Sequence, residues 1–180
     1  IRASETPHVS DVLLVKRPHM PGKWRFVVNF KILNDATVSE QLIMPDARSQ
    51  HERLAGKSIF GAFDYSSYYR QIRLHEDSQY LTGFASDEGT FCYTTVPMGI
   101  KTACAYAQRV LQEKLQSDPV LGPMGLKNYF DDLPLAAKSE DEFLEQMEAI
   151  LKLGERFYLK FNLEKSVFGV DSITHVGFIV

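Results

Sequence analysis

At 180 residues the chain is long enough for one well-buried core, and its 44% hydrophobic and 24% charged content is that of an ordinary folded domain. A net charge of -3 and a pI near 6.0 exclude a uniformly basic nucleic-acid binder, so such contacts must come from a local patch or from other parts of a longer protein. No run approaches the roughly 18 apolar residues that a membrane span requires, and no stretch has the pattern of a signal peptide.

In chain order, residues 11–16 and 24–30 are β-rich runs on either side of a Pro/Gly-containing turn, Arg17 to Lys23, which predicts a hairpin. Residues 46–55 suit a short helix with Asp46 as N-cap and Gly56 after it. Residues 58–64 form a strand that ends on Asp64. Residues 80–86 and 90–96 are expected strands around Ser86-Asp87-Glu88-Gly89. Residues 103–116 have helical period, with Ala103, Ala107, Val110, Leu111 and Leu115 near one face. Strands are expected at 126–131 and 133–137, with Asp131 and Asp132 between them. Ser139 to Glu142 reads as a capping box opening a helix over 139–158 that carries Phe143, Met147, Ile150, Leu151 and Phe157. Short strands broken at Gly169 to Ser172 fill 161–180. The order is α+β, with hairpins and two long helices rather than strict βαβ alternation.

Cys92 and Cys104 lie in apolar contexts without metal-ligand spacing, and they read as reduced core residues of an intracellular protein. The chain starts on Ile1, and 175–180 is a strand-like run, so a piece of a polyprotein is expected.

Three aspartates at strand ends suggest metal chemistry. Carboxylates among apolar strand residues are costly unless a cation compensates them. Phosphoryl transfer to a hydroxyl uses two Mg²⁺ ions about 3.5–4 Å apart, clamped by shared carboxylates, and Mg²⁺ needs few protein ligands beside water and phosphate. Taken singly these residues have plainer readings. An Asp-Asp pair in a turn is a common surface feature, and Asp64 before Ser66 and Ser67 fits a helix N-cap. The order of the surrounding blocks decides between them.

Those blocks are Leu14-Val15-Lys16-Arg17, then Trp24 to Asn34, Met44-Pro45 and Leu54-Ala55-Gly56-Lys57. They continue with Phe63-Asp64-Tyr65-Ser66-Ser67-Tyr68-Tyr69-Arg70-Gln71-Ile72, Val96 to Ala103, Gln108, Tyr129-Phe130-Asp131-Asp132 and Val176 to Ile179. In this order they resemble the reverse transcriptases of gypsy-like LTR retrotransposons and, more distantly, of retroviruses. The resemblance implies a polymerase palm, an antiparallel sheet backed by helices, with a fingers β-hairpin. Fingers would span about 1–57 and 75–95, and palm about 58–74 and 96–180. Thumb, connection and RNase H regions would lie elsewhere in the polyprotein.

By the same resemblance Asp64, Asp131 and Asp132 are the catalytic metal ligands for two Mg²⁺ (or Mn²⁺) ions. Arg25, with Lys16 or Arg17, would hold the incoming triphosphate, for which a planar guanidinium is suited. Tyr69 would exclude a 2′-hydroxyl by bulk, and Met98 and Gly99 would line the nucleotide, Gly99 allowing close backbone approach. Lys165 is a candidate general acid for pyrophosphate departure; a solvated lysine is the plainer reading. Partners would be primed RNA or DNA template, dNTPs and the remaining polyprotein regions, without a membrane, in the cytoplasm, a virus-like particle or the nucleus.

Several positions depart from the family pattern. Tyr68 stands where a small residue is usual, Asn29 replaces an Asp, Cys104 replaces a Pro, and Lys101-Thr102 replaces Thr-Asn or Ser-Asn. None of these removes a metal ligand. The leading expectation is an RNA- and DNA-templated DNA polymerase, weakly active or inactive as this fragment alone. The alternative is a diverged, non-catalytic remnant acting as an interaction module. A nucleotide cyclase on a palm-like sheet is disfavoured, because its Gly-Gly-acidic turn is missing.

Overall fold

The computed structural model describes residues 1–18, 20–39 and 47–179; the expected Asp46 cap and the Met44-Pro45 pair lie outside them. In chain order the elements are β1 (Arg2–Ala3), β2 (Val12–Lys16), β3 (Trp24–Val28), α1 (Lys31–Ala36), α2 (Ala47–Leu54) and β4 (Ile59–Asp64). There follow a 3₁₀ turn (Tyr68–Gln71), α3 (Glu76–Gln79), a second 3₁₀ turn (Tyr80–Thr82), β5 (Phe84–Ser86), β6 (Gly89–Cys92) and α4 (Ala103–Ser117). The last are α5 (Leu121–Met124), β7 (Asp132–Ala137), α6 (Glu140–Phe157), β8 (Val167–Val170), β9 (Thr174–His175) and β10 (Phe178–Ile179). No described helix is long and apolar enough to cross a membrane. The chain divides into two compact units, 1–41 with 69–104, and 42–68 with 105–180.

In the first unit, β2 and β3 form the expected hairpin, in register from Val12 opposite Val28 to Lys16 opposite Trp24. Leu13, Leu14, Val15, Trp24 and Phe26 on this ribbon are exposed, and only Val28 is buried. The second sheet has the order β1-β6-β5, all antiparallel. Val28, Phe30, Phe84 and Tyr93 make the core of this unit. The strand expected over 80–86 is shorter than its apolar pattern. The hydroxyl of Thr82 donates to the Gln79 carbonyl at 2.7 Å and accepts the Tyr93 N–H at 2.9 Å, which winds Tyr80–Thr82 into a helical turn. Helix α1 was not anticipated; Asn29 Oδ1 accepts the Lys31 N–H at 3.2 Å and turns the chain into it.

In the second unit, the antiparallel sheet β7-β4-β8 carries the candidate chemistry. The central strand β4 is Ile-Phe-Gly-Ala-Phe-Asp, and its small residues let α6 pack closely on the sheet. Pro134 is tolerated because β7 is an edge strand, and its carbonyl accepts from Arg53 Nη2 at 3.2 Å. Ser139 caps α6 as expected, accepting the Glu142 N–H at 3.2 Å. The reciprocal arm of the capping box differs: Glu142 Oε2 accepts from the Lys138 N–H and Oε1 pairs with Lys57 at 2.7 Å. Residues 126–131 form no strand, because the chain reverses through a two-residue loop and β7 pairs with β4 along its whole length.

A Cβ on Gly61 would lie 2.8 Å from Phe143 Cζ and 2.8 Å from the Val167 carbonyl oxygen. The ring can move, but the β8 backbone cannot without losing pairing. Gly61→Ala is expected to cost about 1–3 kcal/mol in urea denaturation. A loss within experimental error would show that β8 is free to step aside.

Candidate active site

Asp64 ends β4 directly opposite Asp132, the first residue of β7. The backbone of this pair is fixed from both sides. The Tyr65 N–H donates to the Asp131 carbonyl at 2.9 Å, the Asp64 N–H to Ser166 Oγ at 3.1 Å, and the Asn162 N–H to the Asp64 carbonyl at 2.8 Å. Tyr129 and Asp132 exchange N–H···O bonds of 2.8 and 3.0 Å, closing a two-residue hairpin loop of Phe130 and Asp131. Phe130 has φ +52° while Asp131 does not have positive φ, the pattern of a II′ turn. A bulky residue in that region costs on the order of 1–3 kcal/mol and persists only where its surroundings enforce it.

The enforcing groups are buried and polar. Gln108, on α4, accepts the Phe130 N–H through Oε1 at 2.9 Å and donates through Nε2 to the Asn128 carbonyl at 2.8 Å. The two hydrogens of the Asn128 amide nitrogen face three acceptors, Gln108 Oε1 at 3.2 Å, the Tyr68 hydroxyl at 3.3 Å and, at the limit of reach, the Phe130 carbonyl at 3.5 Å. On the other side of the hairpin, His175 packs edge-on against Tyr129, at 5.8 Å between rings, and its carbonyl lies 3.2 Å from His51 Nε2. His175 Nε2 and Arg53 Nε are buried without a hydrogen-bond partner. Burial, with His51 and Arg53 nearby, pushes the His175 imidazole down to about 4.

The three carboxylates act on one another. Asp64 is raised above the usual carboxylate range by burial, with Lys165 opposing and Asp131 adding to the shift. Asp132 is raised by desolvation and then by repulsion from Asp131 and Asp64, with Lys165 opposing. Lys165 Nζ stands 3.9 Å from Asp64 Oδ2 and is itself largely exposed. Among the described residues no three carboxylate, imidazole or thiolate groups stand close enough to ligate an ion by themselves. The carboxylates nevertheless fit Mg²⁺ in kind. They are hard oxygen donors whose mutual repulsion a cation relieves, and Mg²⁺ completes its shell with water and phosphate.

A model of the family described as "Reverse transcriptase (RNA-dependent DNA polymerase)" matches residues 14–180. The chain belongs to the reverse transcriptase family. This reverse transcriptase domain is 32% identical over 176 residues to the enzymatic polyprotein of Figwort mosaic virus (strain DxS), a match covering 97% of the chain and 26% of that protein. It is 29% identical over 183 residues to the retrovirus-related Pol polyprotein from transposon opus of Drosophila melanogaster, covering all of the chain and 18% of that protein. The chain thus spans about a quarter or less of these two relatives. In fold it matches the foamy viral protease-reverse transcriptase in complex with double-stranded DNA, with a TM-score of 0.85 at 20% identity, over 99% of this chain and 30% of that one. A second structure of that enzyme, with an RNA/DNA hybrid, matches with a TM-score of 0.85 at 19% identity, over 99% of this chain and 23% of the other. The α+β fold with palm sheet and fingers hairpin is therefore that of reverse transcriptases.

The remaining residues singled out in the reverse transcriptase domain lie in the first unit. Arg25 is exposed on β3, opposite Val15. Pleat alternation puts Arg17, opposite Lys23, on the face of Arg25 and puts Lys16 on the other face. The Lys16 ammonium instead sits 5.4 Å from the Trp24 ring centre. Tyr69 is half-buried, with its hydroxyl 3.3 Å from Cys104 Sγ. Met98 is exposed, and Gly99 has φ +96°, which favours glycine. Asn34 holds the Gly99 loop by donating to the Gly99 carbonyl and accepting the Lys101 N–H, both at 2.8 Å. Sequence reasoning missed Asn34, Asn128 and His175, because each acts through a contact distant in sequence. For Asn128 and His175 the available signal was a polar side chain within a strand-like run, whereas Asn34, in Lys31–Ala36, offered none.

Proposed function

We infer that this domain catalyses template-directed DNA synthesis within a longer polyprotein, by nucleotidyl transfer at Asp64, Asp131 and Asp132. The observation that carries the reading is the register of Asp64 against Asp132, with Asp131 held beside them in an enforced turn. Mutual repulsion among these carboxylates supports a site that holds cations. Two Mg²⁺ ions, when bound, would supply charge stabilisation for the attacking and leaving oxygens. The chain's own part is to hold the three carboxylates in place and to keep Lys165 beside Asp64. In the same reading Arg25 and Arg17, which share one hairpin face, take the dNTP together with Lys16, Tyr69, Met98 and Gly99. Primed RNA or DNA is the partner in this reading, and an intracellular setting follows from it.

Primer extension on RNA and DNA templates tests it. A longer protein containing this domain is expected to add dNTPs in Mg²⁺ or Mn²⁺ and to stop with EDTA. The 180 residues alone are expected to give only short products, and only at low salt, since duplex affinity depends on phosphate contacts that a chain of net charge -3 supplies poorly. No incorporation by the longer protein would favour the non-catalytic remnant.

A further inference from the structure

The hydroxyl of Tyr68 has a use that its place in the family pattern does not supply. Its ring is buried beside Tyr65, at 5.7 Å between centroids, and the hydroxyl oxygen takes a hydrogen bond from the Asn128 amide. Asn128 is fully buried, and the same nitrogen reaches Gln108 Oε1 and the Phe130 carbonyl. Gln108, also buried, grips the Phe130 N–H. A continuous chain of hydrogen bonds thus runs from the turn after Asp64, through two buried amides, to the strained residue next to Asp131.

We propose that Tyr68 is a positioning residue that acts through Asn128 and Gln108 to hold the Phe130-Asp131 loop, and with it the metal carboxylates, in register with Asp64. The metal part of this rests on the function inferred above. Three observations distinguish it from a merely space-filling tyrosine. The hydroxyl is directed at a buried amide rather than at solvent. Phe130 occupies a backbone region that needs enforcement. Every hydrogen bond in the chain ends on the backbone of residues 128–130 or on a side chain that reaches it. Without the hydroxyl, the second Asn128 amide hydrogen has only the longer 3.5 Å contact to the Phe130 carbonyl, so the amide can turn away from Gln108. Gln108 is then less constrained where it receives the Phe130 N–H.

Tyr68→Phe in the full 180-residue chain tests the proposal, since it removes one oxygen and keeps the ring. Amide hydrogen exchange in the metal-free protein is expected to quicken about 10-fold at Phe130 and Asp132, with Leu135 and Ala137 of β7 unchanged. Mn²⁺ binding followed by electron paramagnetic resonance is expected to weaken about 10-fold, the lower end for losing an outer partner of a metal ligand. Adding Asn128→Ala to Tyr68→Phe should change exchange at Phe130 no more than Asn128→Ala does alone. Exchange at Phe130 identical to the parent, or acceleration spread evenly over β4 and β7, would overturn the proposal. Unchanged Mn²⁺ affinity in a variant whose parent binds Mn²⁺ would overturn it as well. A parent that binds no Mn²⁺ would instead remove the metal reading itself, and the proposal with it.

Discussion

Asp131→Asn, placed in a longer protein that contains this domain, should reduce dNTP incorporation to background while leaving the fold intact. The substitution keeps the size of the side chain and removes one negative charge. The backbone at 131 is used by the Tyr65 N–H, and the hairpin closes through Tyr129 and Asp132, so neither depends on the carboxylate. Asp131 raises both Asp64 and Asp132 by repulsion, so its neutralisation lets both ionise more readily. Stability of the metal-free variant should therefore be unchanged or slightly higher near pH 5, where raised carboxylates otherwise penalise the charged form. Loss of activity with equal or higher stability is the signature of a site built against folding stability. Retained incorporation would take Asp131 out of the metal site. Lost incorporation with a lower unfolding midpoint would mean that the carboxylate serves the fold instead.

A second large effect is a loss of stability in mild acid caused by His175. In the folded chain its imidazole is held to about 4, against an ordinary value of 6.5. Between these values the unfolded chain binds a proton that the folded chain refuses, so stability is full above about pH 6.5 and falls as pH drops toward 4. The difference corresponds to on the order of 3 kcal/mol when complete. Asp64 and Asp132 pull the other way, because raised carboxylates are destabilising when ionised and recover as they protonate. The histidine effect should therefore be cleanest between pH 6.5 and 5. Denaturant titrations at pH 7 and pH 5 should show a clear drop for the parent and a flatter response for His175→Phe. That variant keeps a ring against Tyr129 and removes the unpartnered nitrogen. Equal slopes in the two proteins would show that His175 is not the titrating group.

The strong local signals in the chain were read correctly because their physics is local. Ser139 three residues before Glu142 signals a helix start, and the short continuous apolar run before Asp64 fits a buried strand. The three aspartates stood out as candidates only through the order of the blocks around them. Tyr80–Thr82 and residues 126–131 misled, since short apolar runs fit helix, turn and strand alike. In the first case a threonine hydroxyl decided the outcome, and in the second a two-residue loop did. The left-handed Phe130 had no sequence signature, because its conformation is imposed by Gln108, twenty-two residues earlier. The place of Arg17 rather than Lys16 beside Arg25 depends on strand register, which the intervening Pro/Gly turn left open.

The fingers hairpin also bears on how the chain behaves at high concentration. A two-stranded ribbon is marginal by itself, and this one has Leu13, Leu14, Val15, Trp24 and Phe26 exposed with no third strand along it among the described residues. Such a ribbon is a template on which other copies can add strands and form aggregates. Lys16, Arg17, Lys23 and Arg25 cluster at its turn end. Their like charges repel a second ribbon that approaches in register, so they act as gatekeepers against self-association. Substitutions that neutralise these cations to probe dNTP binding therefore carry a solubility cost separate from any effect on catalysis.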